Sequence, residues 1–252
     1  MIVEIKGVRK LYQSPEGEIG ALEDIGFSVE EGEFVSIVGP SGCGKTTLLN
    51  IIAGLETPSG GEVWVDGVRS RGVNARIGYM PQRDQLFAWR SIWANVTLGL
   101  ELRGRRDPAQ TEAVRGLLSR YGLAEFAHCV PAQLSGGMRQ RCALIRTLAT
   151  APRILLLDEP FSALDYQTRL SVAGDIHAII KNEGKTALLV THDIAEAVSM
   201  SDRVIVLSAR PGRLKRLIDQ DDLRGMTPMQ RRDDPAFTHY FNLIWKEIDS
   251  CG

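Results

Sequence analysis

The sequence lacks any apolar run long enough to cross a lipid bilayer. Its longest runs, such as those at 154–157 and 187–190, are far shorter than the roughly 18 residues that a spanning helix needs. The segment from Met1 to Lys6 also lacks the basic stretch and apolar stretch of a secretion signal. We therefore expect a chain that does not span a membrane and that stays in the cytosol.

The sequence also lacks a large net charge, and it has few cysteines. Lys and Arg number 30 against 31 Asp and Glu, so the formal net charge is -1 and no global field favours a nucleic-acid partner. The four cysteines are scattered without C-x-x-C pairs, which favours reduced thiols over a disulfide framework or a zinc site. These residues are Cys43, Cys129, Cys142 and Cys251.

The order of apolar segments predicts an α/β fold. With 252 residues, of which 44% are hydrophobic, the chain is long enough for a substantial core. Short apolar strands alternate with longer helical stretches, as in a parallel sheet covered by helices on both faces. The expected strands are 35–38, 62–65, 76–80, 154–158, 187–190 and 204–207. The Gly-rich first sixty-odd residues, with strand-like runs at 3–5, 21–29 and 62–65, indicate an additional antiparallel flap.

Two further stretches have helical spacing. Between Ile92 and Thr150 no strand is expected, and residues 111–121 and 136–150 predict helices that interrupt the α/β core. The polar tail from Asp219 onward ends in an apolar stripe. We favour packing of this stripe on its own domain, and a docking face for a partner is the alternative. The stripe consists of Phe237, Tyr240, Phe241, Ile244 and Ile248.

A phosphate-binding loop is the clearest chemical signal. Residues 39–46 match G-x-x-x-x-G-K-[ST], between an apolar strand at 34–38 and a helix expected at 45–53. The glycines let several backbone N–H groups and the helix start point at one anion. Lys45 would neutralise β- and γ-phosphate charge, and the Thr46 hydroxyl would ligate Mg²⁺. The candidate nucleotide-binding residues are Gly39, Ser41, Gly42, Cys43, Gly44, Lys45, Thr46 and Thr47. The alternative is a Gly-rich turn beside a surface lysine.

Polar residues follow two other predicted strands. Asp158 and Glu159 end the strand at 154–158, at the sheet edge where ligands bind in parallel α/β folds. We expect Asp158 to reach Mg²⁺ through water and Glu159 to act as general base, although the pair could instead cap the next helix. His192 follows the strand at 187–190 and is expected to contact the γ-phosphate. For His128, His177 and His239 we expect only structural roles.

Residues 134–141, Leu-Ser-Gly-Gly-Met-Arg-Gln-Arg, closely resemble the signature motif of ATP-binding cassette proteins. Ser135 is a predicted helix N-cap, so with Gly136 and Gly137 it forms a second anion-binding helix start. The resemblance implies a P-loop NTPase (RecA-like) core with an N-terminal antiparallel β subdomain and an inserted α-helical subdomain at about 83–150. These units would form an ATPase domain over 1–218, followed by a C-terminal helical extension over 219–252.

The resemblance also implies a cofactor set and a homodimer. ATP with Mg²⁺ would lie between the phosphate loop of one subunit and the signature of the other, packed head to tail. In the family, a glutamine at the position of Gln82 senses nucleotide and ligates the metal, and Asp165 follows the acidic strand at the same site. Tyr12, at the end of a short expected strand, is a candidate for stacking on adenine. Packing within the protein is the alternative for Tyr12.

A cluster of aromatics indicates a partner. Phe87, Trp89 and Trp93 fall within residues 85–93, which we interpret as the groove for a coupling helix of a membrane permease. Burial of Phe87 and Trp93 against the helical insertion is the alternative. Residues 86–104 and 208–213 resemble importer ATPases of the nitrate, sulfonate, taurine and pyrimidine-precursor group, although Ala88 stands where that group usually has proline.

Transport by such an importer would involve permease subunits at the cytoplasmic side of the inner membrane and, indirectly, an extracytoplasmic substrate-binding protein. A soluble cassette ATPase with a role such as cofactor or iron-sulfur assembly is the main alternative. A P-loop kinase or GTPase would share the phosphate loop, but it does not explain the motif at 134–141.

Overall fold

The computed structural model describes residues 1–15, 17–104 and 107–249, which form two β-sheets with helices packed around them. The first sheet is antiparallel and has the order β2-β1-β4-β5. Its strands are β1 (Val3–Ser14), β2 (Gly17–Val29), β4 (Gly60–Val65) and β5 (Val68–Arg69). This sheet confirms the predicted antiparallel flap.

The second sheet has the order β10-β9-β3-β8-β7-β6 and is parallel except for the β9–β10 pair. Its strands are β3 (Phe34–Val38), β6 (Ile77–Met80), β7 (Ile154–Asp158), β8 (Thr186–Val190), β9 (Arg203–Leu207) and β10 (Leu214–Asp219). Every residue of β3, β7 and β8 is buried. Alternate side chains of these strands enter two different cores, one on each face of the sheet.

Helices cover the parallel sheet. They are α1 (Lys45–Ala53), α2 (Ile92–Val96), α3 (Leu98–Leu102), α4 (Pro108–Arg120), α5 (Gly136–Leu148), α6 (Tyr166–Asn182), α7 (Ile194–Met200), α8 (Pro228–Asp233) and α9 (Pro235–Asp249). The predicted helical insertion corresponds to α2 through α5, and the described residues between 92 and 150 include no strand. In the described ranges, no helix is both long and apolar enough to span a membrane.

Two strands differ from the sequence-based expectation. β1 is long instead of short, because three register shifts against β2 allow it to continue past Lys10 to Ser14. β10 was not predicted. β10 lies at the edge of the sheet and pairs with β9 in the antiparallel sense. Because most of its residues are exposed or half-buried, its sequence contains no continuous apolar run that would predict a strand.

The apolar stripe of the tail packs on its own chain, as we expected. Tyr240 and Ile244 are buried against α7 and β9, and the other three residues of the stripe are partly buried beside them. Arg231 on α8, only 1% exposed, donates to the Ser201 carbonyl and to Asp202 just beyond the end of α7. The tail is therefore fixed to α7 by apolar contacts and a buried ion pair. Cys251 lies outside the described residues.

Asp202 is the centre of a buried charged cluster. Its carboxylate accepts from Lys181 Nζ at 2.8 Å, from the Phe34 N–H at 2.9 Å and from Arg231 at 3.1 Å. Burial alone raises the pKa of Asp202, but these donors leave that pKa below its usual value. His177 lies beside the cluster and stacks on Phe34, with the ring centroids 5.5 Å apart.

Stability should depend on pH through His177. Burial, with the nearby charges of Arg231 and Lys181, lowers the pKa of His177 to about 4 from 6.5. The neutral ring therefore stabilises the fold fully above about pH 6.5, and this stability is lost as the pH falls toward about 4. This group alone should lower the free energy of unfolding by about 2 kcal/mol between about pH 7 and about pH 5.

Urea unfolding of the His177→Leu variant at these two pH values checks this expectation. The variant should lose that part of the pH dependence. His239→Leu is the matched control, because His239 is exposed on α9, and it should retain the wild-type behaviour. Wild-type pH dependence in the His177 variant would contradict the assignment.

Candidate active site

The phosphate loop joins β3 to α1. Gly42 and Gly44 have φ values of 75° and 99°, in the left-handed region that glycine adopts without strain. A Cβ on Gly44 would lie 2.7 Å from the Leu22 side chain and 2.9 Å from the Ala21 carbonyl, so only glycine fits there. The loop therefore curls into the start of α1, as an anion-binding helix start requires.

Lys45 is the first residue of α1 and is almost fully buried. Its Nζ donates to the Gly39 carbonyl at 2.8 Å and to the Pro40 carbonyl at 3.0 Å, which holds the ammonium inside the curl of the loop. Cys43 is also buried, and burial raises the pKa of its thiol. The neutral Cys43 thiol accepts a weak hydrogen bond from Lys45 Nζ at 3.8 Å, and Lys45 supplies a fixed positive charge.

Asp158, at the end of β7, faces the start of α1. Its carboxylate accepts from Thr46 Oγ1 at 3.2 Å and from the Tyr79 hydroxyl at 3.2 Å. Burial raises the pKa of Asp158, and these two hydrogen bonds partly offset that effect. The Tyr79 hydroxyl also donates to Asn50 at 3.1 Å. The sequence analysis did not identify Tyr79 or Asn50 as site residues. Tyr79 lies within β6 and Asn50 within α1, and the sequence of neither element distinguishes these residues from ones that only pack in the core.

The oxygens of Thr46 and Asp158 are the kind of ligands that Mg²⁺ prefers. In the described part of the chain, no group of three or more His, Cys, Asp or Glu side chains could hold a metal ion. Water and phosphate oxygens would therefore have to complete the shell of a cation bound by this oxygen pair, as is usual for Mg²⁺ beside a nucleotide.

Glu159 contacts a different set of residues from Asp158. It has a φ of 44°, in a region that non-glycine residues rarely occupy and that functional sites often contain. Its backbone N–H donates to the Val190 carbonyl at 2.8 Å, which anchors the residue to the end of β8. Its Oε2 lies 3.0 Å from His192 Nδ1 and 3.2 Å from Gln82 Nε2. The structure thus joins Glu159, His192 and Gln82, which follow three different strands, in one cluster.

One cavity, of about 540 Å³, brings most of the predicted residues together. Its lining includes Tyr12, Ser41, Gly42, Gly44, Lys45, Thr46, Thr47, Glu159 and His192. The Tyr12 hydroxyl lies 3.3 Å from Thr47 Oγ1, and the Tyr12 ring is 37% exposed at the side of the cavity. Ala21 and Arg210 complete the lining, and sequence reasoning assigned neither of them to this site.

Eight predicted residues do not line that cavity, and four of them lie at the starts of α5 and α6. The eight are Gly39, Cys43, Gln82, Ser135, Gly136, Gly137, Asp158 and Asp165. Ser135 caps α5 by accepting from the Met138 N–H at 3.3 Å, and Gly136 and Gly137 form the first turn. A Cβ on Gly137 would lie 2.6 Å from the Val172 side chain, so α5 and α6 approach closely there. Asp165 caps α6 by accepting from the Thr168 N–H at 3.0 Å, and this bond lowers the pKa of Asp165. The chain therefore carries a second helix start that its own phosphate-loop cavity does not include.

The aromatic segment divides between core and surface. Trp93 packs against the core of the helical insertion, whereas Trp89 is 78% exposed. The ring centroids of Phe87 and Trp89 lie 5.1 Å apart. Burial against the helical insertion was the alternative for both Phe87 and Trp93. Trp93 packs inward, whereas Phe87 remains at the surface beside Trp89.

A glycine-rich loop between a parallel strand and a helix, with an acidic strand end beside it, defines the class of P-loop nucleoside triphosphatases. A model of the ABC transporter family matches residues 22–162, which is more than half of the chain. The chain belongs to the ABC transporter family of ATP-binding proteins and is an ATPase of that family.

Three bacterial relatives are similar over most or nearly all of the chain. An uncharacterized ABC transporter ATP-binding protein of Bacillus subtilis, YtlC, is 46% identical over 98% of this chain and 96% of the relative. The nitrate import ATP-binding protein NrtD of Synechocystis is 42% identical, over 97% and 94% respectively. The taurine import ATP-binding protein TauB of Yersinia pestis is 45% identical, over 77% and 76% respectively.

Solved structures of ATP-binding cassettes have the same fold. A dimeric post-hydrolysis structure of the cassette MJ0796, bound to ADP and Pi, gives a TM-score of 0.73 at 35% identity. The match covers 89% of this chain and 100% of that chain. Together with the family match, this similarity confirms the P-loop NTPase fold and the binding of ATP.

Replacement of Tyr79 by Phe should destabilise this site. The hydroxyl proton is within hydrogen-bond distance of the Asp158 carboxylate and the Asn50 side-chain oxygen, and burial together with the charge of Asp158 raises the pKa of Tyr79, so it remains a proton donor. Loss of the donor should lower the free energy of unfolding by about 1 kcal/mol in urea titrations. Tyr166→Phe is the matched control, since Tyr166 is 66% exposed, and should be neutral. Equal stability of the two variants would contradict this role for Tyr79.

Proposed function

We propose that this chain is the ATP-hydrolysing subunit of an ABC importer and that it acts as a head-to-tail homodimer. The observation that carries the proposal is the separation of two anion-binding helix starts within one chain. α1 begins at the phosphate-loop cavity, whereas α5 begins at exposed Ser135 outside it. A second copy, placed head to tail, would bring its α5 start to the open side of the first copy's cavity.

The phosphate loop binds the triphosphate of ATP in this proposal. Backbone N–H groups of residues 41–47 and the positive end of α1 surround the phosphates, and Lys45 neutralises their charge. Thr46 and Asp158, with Gln82, would hold Mg²⁺, which neutralises charge that develops on the phosphate oxygens. Tyr12 offers an exposed ring for stacking on adenine at the side of the same cavity.

Hydrolysis depends on the cluster around Glu159. Its carboxylate orients and deprotonates the attacking water, and it bonds to His192 and Gln82 instead of facing Thr46 as Asp158 does. His192 is 3.0 Å from this carboxylate and contacts the γ-phosphate. Gln82 bonds to the same oxygen, so it responds to changes at the site and passes them to the following segment. Ser135, Gly136, Gly137 and Asp165 of the partner copy complete the site.

Residues 85–93 form the contact with a transmembrane permease. The exposed Trp89 lies seven residues after Gln82, so the proposed docking surface is close in sequence to a residue that would respond to nucleotide. We assign the ATPase domain to residues 1–218, with a helical subdomain at about 83–150 and a helical extension over 219–252. The assembly would lie at the cytoplasmic side of the inner membrane, as a peripheral component.

The transported solute is proposed from the relatives. The nitrate and taurine import proteins are 42% and 45% identical to this chain, so we propose a small solute such as nitrate, a sulfonate, taurine or a pyrimidine precursor. An extracytoplasmic substrate-binding protein would deliver it to the permease. The solute does not enter the ATPase, which contacts only nucleotide and partner.

Glu159→Gln tests the proposed chemistry. The amide cannot deprotonate water but keeps the size of the side chain, so hydrolysis should fall by at least about a hundredfold while ATP still binds. The variant should then accumulate as a closed dimer at saturating Mg-ATP, measured by light scattering of the purified chain. A variant that hydrolyses ATP at the wild-type rate, or that stays monomeric, would refute the assignment.

The matched control adds Ser135→Arg to Glu159→Gln. The added side chain blocks the start of α5 but is remote from the chain's own cavity, so ATP binding to the monomer should persist while the dimer is lost. Loss of ATP binding by the double variant would show that Ser135 serves its own subunit and would contradict the head-to-tail arrangement.

Replacement of Trp89 by Ala tests the permease contact. A tagged chain purified from detergent-solubilised membranes should bring down a multi-helix membrane protein, and the variant should recover at least about tenfold less of it. Trp245→Ala is the matched control, because Trp245 is also exposed, at 55%, but lies on α9. Recovery of no membrane protein by the wild type would favour the soluble ATPase with a role such as cofactor or iron-sulfur assembly.

A further inference from the structure

The loop between β9 and β10, residues 208–213, lies directly against the phosphate loop. The Gly212 N–H donates to the Ala21 carbonyl, and the Glu23 N–H donates to the Gly212 carbonyl, both at 2.9 Å. A Cβ on Gly212 would overlap the carbonyl oxygen of Cys43, so the two loops are in backbone contact. The position of residues 208–213 is thus set by the phosphate loop and by β2.

Hydrogen bonds within the 208–213 loop keep its shape. The Ser208 hydroxyl donates toward the carbonyls of Ala209 at 3.0 Å and Pro211 at 3.3 Å, and it accepts from the Arg213 N–H at 3.0 Å. One side chain therefore ties together both halves of the loop. A residue at the tip of this loop is presented at a fixed place relative to the phosphate loop.

Arg210 is that residue. Its Nε donates to the Gly20 carbonyl at 3.1 Å, and its side chain lines the same cavity as Ser41, Gly42 and Lys45. In the described part of the chain, no hydrogen bond or ion pair engages its terminal nitrogens. The bond to Gly20 holds the guanidinium in place and leaves its two terminal amino groups available to a ligand.

The ligand of this cavity is an anion, and a planar guanidinium is well suited to phosphate oxygens. Lys45 is bonded within the loop, whereas Asp158 and Glu159 place negative charge at the strand ends. Arg210 supplies a second fixed cation in the same cavity. We propose that Arg210 is a nucleotide-binding residue whose guanidinium donates to the phosphate chain of bound ATP or ADP.

Arg213 provides an internal contrast. It belongs to the same loop and is exposed, but it pairs with Glu23 at 2.8 Å and does not line the cavity. Loss of Arg213 therefore removes the same charge from the same loop without removing a group from the nucleotide site.

The proposal rests on the phosphate-loop site described above, and titration calorimetry of the full chain with ATP and with ADP tests both. Arg210→Ala should weaken the binding of each nucleotide about three- to tenfold, and Arg213→Ala should leave it unchanged. Arg210→Lys should recover part of the loss, since it keeps the charge without the planar fork. The difference between Arg210→Ala and the wild type should shrink at high salt.

The Lys45→Ala variant distinguishes failure of the proposed role of Arg210 from failure of the phosphate-loop site itself. If Lys45→Ala weakens ATP binding but Arg210→Ala does not, the phosphate-loop site stands and the role of Arg210 is overturned. Equal losses in Arg210→Ala and Arg213→Ala would also overturn it, because they would reflect a general effect on the loop. If Lys45→Ala leaves ATP binding unchanged, the phosphate-loop site itself is wrong.

Discussion

The parallel pairing of β3, β8 and β7 is the constraint on which the rest of the molecule depends. The register pairs Ile37 with Val190 and Val190 with Asp158, so the three strands end at the same edge of the sheet. The phosphate loop, His192 and the Asp158–Glu159 pair each follow one of these ends. Their side chains lie together because the parallel register fixes where each buried strand ends.

At the same sheet edge, the two adjacent carboxylates proposed for the site have different neighbours. Asp158 remains on β7 and faces Thr46, whereas Glu159 bonds through its backbone to Val190 and turns toward His192. α7 begins at Ile194, next to His192, and its other end is fixed by Arg231 and Asp202. The tail of the chain is therefore attached to the helix that follows the proposed γ-phosphate contact, only two helical turns away.

The local motifs could be predicted from the sequence, and the long-range contacts could not. The glycine-rich loop, α1 and the buried strands are encoded by adjacent residues, so their positions were predicted to within one or two residues. Tyr79, Asn50 and Arg210 reach the site only through tertiary contacts, and nothing in their own segments marks them. β10 was not predicted because strands were identified by continuous apolar runs, and this exposed edge strand has none. The direction in which Trp93 and Trp89 point likewise depended on the packing of α2, which the pattern of aromatics alone does not specify.

In the proposed homodimer, one copy holds an incomplete ATPase site and a second copy completes it. The most direct measurement is the rate of ATP hydrolysis per subunit as the concentration of the purified chain is lowered at saturating Mg-ATP. If two copies form each site, the rate per subunit should fall toward zero at high dilution and rise to a plateau as dimers form. A rate per subunit that is the same at every concentration, in a chain shown to be monomeric, would contradict the claim.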